Sequence, residues 1–502
     1  MRRLFAVLAL LSGCLNLFGQ VNAGPSLTTD EYLQQRSALI ANAEQQSFAA
    51  KVTLSPDEER VNTYLQTLLA AEVSASPFLP NRNFLTCQKQ IESSPLYRFL
   101  QKMPKGAVLH AHAIALGDLR WIVNTVTYRA DCYMYMGEKN NHLLPGSIRL
   151  FEAPPEGPWE SVRTLRQQEE DPKAFDQRLY ESFVMTSKDL CLPDVWEKFQ
   201  GCFYYYSGVL ADTNVYKTFL KNALLQLIQE DTIQSIELQD APQEPLILMY
   251  KELSEEIQKQ YPFFSLKVIC NGFRYKDQQN VLEAAKETLR LRKQYPEIVS
   301  GFGLSGEEDK GHTILYYLDD LLEINRLAQR ENTPLPYYFH AGETNWPFNN
   351  SPDNSHLIFN NELYDVLLLN SKRVGHGLSL VKNPFLMKKF KQAQIAIETC
   401  PISNQILGYV KDLRNHPAVT YLNAGLAVTL NPDDPGIFGY KGVTADFWEA
   451  CVAWELDLRA LKQLALNSIT YSSLDPDHKA ALLKAWQHKW DTFIAETIQT
   501  LP

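Results

Sequence analysis

Short apolar runs recur along the chain after residue 200. They fall at Ile233–Leu238, Ser265–Cys270, Val299–Leu304, Pro336–His340, Arg373–His376, Gln394–Glu398 and Ala427–Leu430. Each reads as a short strand-like apolar run. Between most of them lie segments with helical spacing of apolar positions, such as Val281–Tyr295, Thr313–Arg330 and Leu357–Leu369. One earlier run, Ala107-Val108-Leu109, reads as another strand. Strands alternating with helices imply a parallel sheet, and eight such units predict an α/β fold closed as a (β/α)8 TIM barrel over about 101–502. No internal repeat or low-complexity tract interrupts it.

The pattern changes at two places. Residues 24–100 read as a helical N-terminal extension. There, Ser55-Pro56-Asp57-Glu58 combines an N-cap, a proline at the first helical position and a returning glutamate. The helix it opens carries Val61, Tyr64, Leu65, Leu68 and Leu69 as an apolar stripe, which needs a partner. A homodimer through these N-terminal helices is the expectation, and packing on the chain's own barrel is the alternative. Residues 128–180 hold Pro145, Pro154, Pro155 and Pro158 followed by a charged run, and read as a surface insertion after strand 1.

The N-terminus reads as an export signal over 1–23: basic Arg2 and Arg3, apolar Leu4 to Leu11, and small residues before Gly24. A secreted or periplasmic protein follows. Leu11-Ser12-Gly13-Cys14 offers a rival lipoprotein leader ending at 13, with Cys14 lipidated. No later stretch approaches ~18 consecutive apolar residues, so no further membrane span is expected. The net charge of −10 and the lack of a long basic run argue against nucleic acid as a partner. Seven cysteines beyond Cys14 are scattered with no C-x-x-C pair, which excludes zinc-ribbon and thioredoxin-type sites. Cys191 and Cys202 are near enough for a local disulfide, or remain free thiols.

Barrel active sites lie at the C-terminal ends of the strands. Strand 1 ends in His110-Ala111-His112, whose two histidines share one face of the strand. Strand 5 ends in His340-Ala341-Gly342-Glu343, strand 6 in Gly375-His376-Gly377, and strand 8 in Asn431-Pro432-Asp433-Asp434-Pro435. Each motif alone has a bland reading: a turn for the aspartates, a surface histidine for the Gly-His-Gly loop. Together they place four of ten histidines at strand ends in one register. Three histidines and a carboxylate suit zinc with room for water, whose pKa the ion lowers towards ~7. His376 and Glu343 are then free for proton transfer.

With Met103-Pro104-Lys105-Gly106 before strand 1 and Cys400-Pro401-Ile402-Ser403-Asn404 after strand 7, the ordered set resembles the adenosine deaminase family, nearest to its secreted growth-factor-related branch. The resemblance covers nearly the whole mature chain. It implies zinc-dependent hydrolytic deamination of adenosine and 2′-deoxyadenosine, with one zinc per chain held by His110, His112, His340 and Asp433. Glu343 is then the residue that protonates the purine ring, and His376 orients and deprotonates the water. Asp434 and the Gly306 N–H bind the purine, and Trp196 and Phe199 are apolar lid residues. The rival readings are a deaminase of a related adenine compound, another amidohydrolase, or an extracellular signalling or binding protein with incidental deaminase activity. A binuclear metal centre is disfavoured, because strand 4 offers no lysine and Lys310 comes too late.

Some positions depart from the family pattern. Ala113-Ile114-Ala115 stands where an acid usually follows the histidine pair, and Gly303 where strand 4 usually has aspartate. Gln239 replaces an arginine at the end of strand 2, and the insertion has only Cys132. These changes predict extra room and weaker recognition at the ribose end, unless Asp118, Glu237 or Glu307 supplies a carboxylate. His312 and His416 are candidates for structural roles or for orienting the site.

Overall fold

The computed structural model describes residues 28–140, 143–346 and 362–501. The leader, His142, His356 and the beginning of the helix expected at Leu357 lie outside the described residues. Eight parallel strands form the centre: β1 Gly106–His112, β2 Ile233–Asp240, β3 Ser265–Phe273, β4 Val299–Ser305, β5 Tyr338–Ala341, β6 Arg373–His376, β7 Ala396–Thr399 and β8 Val428–Leu430. Every run expected from the hydrophobic pattern is a strand in register with its neighbours. β1 continues past its apolar core through both histidines.

The strands make two sheets of four, β1-β2-β3-β4 and β5-β6-β7-β8 in spatial order. Single parallel bridges join them at Phe302–Tyr337 and Ala111–Asp433, which closes the ring as a (β/α)8 barrel. Nearly all strand residues are buried, as expected when helices cover a parallel sheet. The helix Gln278–Gln294 lies between β3 and β4, and Leu318–Arg330 between β4 and β5. An antiparallel three-stranded sheet, with Cys132–Tyr135 between Ile148–Leu150 and Trp159–Ser161, interrupts the path from β1 to β2.

The chain divides into two compact units, 1–51 and 52–502. Within the first, the helix Thr29–Gln46 starts at a Thr28–Glu31 capping box. It exposes Tyr32, Leu33, Leu39 and Ile40, the third by 70%. Within the second, the helix Pro56–Val73 has the expected Ser55–Glu58 capping box. Its stripe departs from the dimer expectation. Val61, Leu65 and Leu69 are buried inside the unit, and Tyr64 packs edge-on against Phe99. Glu58 Oε1 accepts from Lys462 Nζ at 2.6 Å and from Trp490 Nε1 at 2.7 Å, tying this helix to the C-terminal helix Pro476–Thr500. The chain's own helices thus cover the face expected to meet a second copy. Cys191 is exposed, Cys202 is buried, and both are free thiols, so the local disulfide is not formed.

Candidate active site

The strand ends of β1, β5, β6 and β8 converge on one side of the barrel mouth. His110 and His112 leave β1 on the same face, and the ring centroids of His110 and His340 lie 4.6 Å apart. Asp433 Oδ1 lies 3.2 Å from His110 Nε2 and 3.4 Å from His112 Nε2. Gly375 makes this crowding feasible, since a Cβ there would stand 3.0 Å from the His110 ring. His376 and Asp433 both adopt left-handed backbone angles, φ 59° and 61°. Such angles are strained for residues with side chains, and the strain is characteristic of functional sites.

The donor set fits a metal ion. His110, His112 and His340 offer ligand atoms within 4.8 Å of one another, and so do His112, Asp433 and Asp434. His110 Nε2 and Asp433 Oδ1 are buried and have no hydrogen-bond partner. Burial opposes a charge on His110, yet Asp433 and Glu398 raise its pKa to about 9. Burial lowers His112 to about 4. His110, His376, Cys400 and Asp433 make a further group within the same 4.8 Å reach. Cys400, from the Cys-Pro-Ile-Ser-Asn motif, brings a buried thiol to this group.

Sequence reasoning also missed the layer beneath. Glu398, from β7, places Oε2 2.7 Å from His110 Nδ1 and turns the other ring nitrogen towards the ligand cluster. Arg373 joins Glu398 to Glu237, whose Oε2 accepts from Nη2 at 2.8 Å. The available signal was charge inside apolar strands, at Glu237, Arg373 and Glu398, which a buried barrel tolerates only when paired.

Glu343 follows β5 through Gly342, whose N–H donates to Glu308 Oε2 at 2.8 Å. Burial, then the negative charges of Asp433 and Glu308, push the Glu343 carboxyl well above its ordinary range. Asp434 is raised likewise by burial and by Asp433. His376 Nδ1 lies 3.4 Å from Glu343 Oε1 and 3.1 Å from Asn404 Nδ2.

These groups line one cavity of about 530 Å3. Trp196 and Phe199 wall it from the helix Val195–Leu210, and Phe199 stacks on Phe438 at 5.6 Å. Gly306, at φ 113°, lines the same cavity. All ten residues singled out at strand ends, loops and the helix Val195–Leu210 therefore border this cavity or lie directly behind it.

The ribose-end expectation is corrected in part. A Cβ on Gly303 would stand 2.2 Å from Asn271 Oδ1, so the missing side chain leaves no extra room. Glu237 is bound to Arg373 beneath the cluster, and Asp118 pairs with Lys441, which removes both as substitutes. Glu307 and Asp240 do line the cavity, the latter accepting from Tyr216 and Tyr250. Ile114 occupies the wall where the family acid was expected. Lys310 pairs with Asp194 and Glu307. His312 is exposed and stacked on Tyr316, whereas His416 is buried and bonded to Asn404.

Comparison with known proteins agrees with this geometry. The family described as Adenosine deaminase matches residues 170–489, and Adenosine/AMP deaminase N-terminal matches 10–100. Adenosine deaminase 2 of Dictyostelium discoideum is 34% identical over 94% of this chain and 88% of its own length. Adenosine deaminase 2 of Homo sapiens is 31% identical over 94% of both chains. Among solved structures, the N6-mAMP deaminase of Arabidopsis superposes with a TM-score of 0.53 at 17% identity, covering 78% of this chain and 99% of that one. An amidohydrolase from Burkholderia ambifaria with bound Zn gives 0.53 at 16% identity, covering 81% and 95%. By its matched domains, its relatives and its barrel, the chain belongs to the adenosine deaminase family.

Proposed function

We propose that the protein is a zinc-dependent aminohydrolase that converts adenosine and 2′-deoxyadenosine to inosine and 2′-deoxyinosine with release of ammonia. One observation carries this reading: three histidines and Asp433 meet at the edge of a cavity that also holds Glu343 and His376. His110, His112, His340 and Asp433 would hold one zinc ion. When bound, it supplies Lewis-acid activation of a water molecule.

The side chains divide the remaining work. A purine does not lose its C6 amine until the neighbouring ring nitrogen takes a proton. Glu343, kept protonated by burial, is the donor for that nitrogen. His376 orients the attacking water against C6. Of that water's two protons, one leaves on the amine as ammonia and the other replaces the proton that Glu343 gives to the ring. Asp434, also raised, donates to a nitrogen of the five-membered ring, and the Gly306 N–H fixes the other edge. Trp196 and Phe199 cover the base and exclude bulk water. Glu307 and Asp240 also line the cavity, with Lys310 paired to Glu307, and a 5′-phosphate placed beside these two carboxylates would be repelled.

The basic and apolar N-terminal stretch supports export to a secreted or periplasmic location, and N-terminal sequencing of the mature protein separates this from lipidation at Cys14. Among the described residues no helix is long and apolar enough to cross a membrane. The exposed Tyr32, Leu33, Leu39 and Ile40 support a homodimer through the helix Thr29–Gln46. An ultraviolet assay with adenosine, 2′-deoxyadenosine, AMP and adenine tests the activity. Loss of adenosine absorbance with stoichiometric ammonia is expected, and no turnover of any of the four would overturn the reading.

A further inference from the structure

Behind His376 runs a chain of buried hydrogen bonds that ends on the backbone. The Ala418 N–H donates to His416 Nδ1 at 3.0 Å. His416 Nε2 lies 3.1 Å from Asn404 Oδ1, and Asn404 Nδ2 lies 3.1 Å from His376 Nδ1. His376, Asn404 and His416 are all buried. Two proline-started helices carry the route. Pro401 opens the helix Pro401–Ile406 that carries Asn404, and Pro417 opens the helix that His416 caps.

The first link fixes the direction of all the others. A backbone N–H is only a donor, so His416 Nδ1 is an acceptor and its proton resides on Nε2. Burial holds this ring neutral, with its pKa lowered to about 3. Nε2–H then donates to Asn404, which must present its oxygen there and its NH2 to His376. That NH2 is only a donor, so His376 Nδ1 must accept. Glu343 Oε1, 3.4 Å from the same nitrogen, makes no hydrogen bond and does not compete. The proton of the neutral His376 ring is thereby placed on Nε2, the atom 3.8 Å from Asp433 Oδ2.

We propose that Asn404 and His416 are positioning residues that lock His376 in its Nε2–H tautomer, so that it meets the attacking oxygen as a hydrogen-bond donor. This rests on the deaminase reading above and refines it. A ring locked in this way orients an oxygen at the ligand cluster and does not withdraw a proton from it through Nε2. The role differs from the deprotonating one that the family resemblance implies for His376. The same logic of a fixed second nitrogen governs histidines in other catalytic sites.

The test uses the zinc-loaded enzyme with ¹⁵N-labelled histidine. The His376 resonances are identified by their loss in His376→Gln. In the wild type, Nδ1 is expected bare and Nε2 protonated. Asn404→Asp has nearly the same shape but presents an acceptor to Nδ1, so it should move the proton to Nδ1. It should lower kcat roughly 100-fold, the usual weight of a positioned proton-transfer or donor group, while KM for adenosine and zinc content change little. His416→Gln, which can still donate to Asn404, should retain the wild-type tautomer and most of kcat. A wild-type ring protonated on Nδ1 would overturn the proposal, as would an Asn404→Asp enzyme with near wild-type kcat. The tautomer measurement needs no substrate. It therefore decides this proposal even if the wild type fails to turn over adenosine, a failure that would count against the functional reading alone.

Discussion

His110 and Glu398 meet at 2.7 Å, although they stand on β1 and β7 and are 288 positions apart. The contact commits Nδ1 of His110 to the carboxylate and leaves Nε2 for the ligand cluster. Glu398→Gln should keep the fold but weaken metal affinity by about 10- to 100-fold, the usual effect of losing a carboxylate behind a metal-binding histidine. Competition with a chromophoric chelator measures it. Unchanged affinity would show that His110 is oriented by packing alone.

The ligand set makes a stoichiometric prediction. The purified protein should hold about one zinc per chain, and a chelator should abolish turnover. His340→Ala should lose both metal and activity. Elemental analysis finding two tightly bound ions would exclude the mononuclear site.

Glu343 separates binding from chemistry. Glu343→Gln should retain zinc and bind purine nucleosides, yet lose roughly three or more orders of magnitude in kcat, since ring protonation is needed only towards the transition state. Burial and nearby carboxylates favour its protonated form. Activity dependent on that proton should therefore fall as pH rises through the group's elevated pKa, not as pH falls.

The strand ends that border the cavity were legible because chemistry-bearing residues interrupt apolar runs there. His340, Gly375-His376 and Asp433-Asp434 all stand where a strand pattern stops. The layers behind were harder to see. Glu398 and Arg373 look like ordinary strand residues until the barrel closes and faces them to His110 and Glu237. Gly303 misled for a related reason. A small residue suggests space, but Asn271, from the neighbouring strand β3, had already filled it. The 61–69 stripe was correctly periodic, yet periodicity names no partner, and the C-terminal helix took the place assigned to a second copy.

The ribose end provides a specificity test. Glu307→Gln removes one of the two carboxylates that line the cavity apart from Glu343, Asp433 and Asp434. It should raise kcat/KM for AMP relative to adenosine by about tenfold, or 1.36 kcal/mol. If the ratio does not move, the 5′ end of the substrate lies elsewhere.

Stability should depend on Glu58. Burial alone would raise its pKa, but bonds from Lys462, the Ser55 backbone and Trp490 hold it below its ordinary value. A depressed carboxylate contributes stability above its unfolded pKa of about 4.3, and the contribution is lost as pH falls through the folded value. Glu58→Ala should cost about 2–3 kcal/mol at neutral pH, and less in acid, by thermal or urea unfolding.

The two half-barrels meet at single bridges, and one of these, Ala111–Asp433, falls among the residues that would hold the metal. His110 and His112 belong to one half, while His340 and Asp433 belong to the other. A metal held by all four is therefore a clasp across the seam, mechanical as well as chemical. Removing it should loosen the barrel along one line, with faster amide exchange at His112 and Asp433, whose N–H groups cross that seam, than in the interior of either sheet.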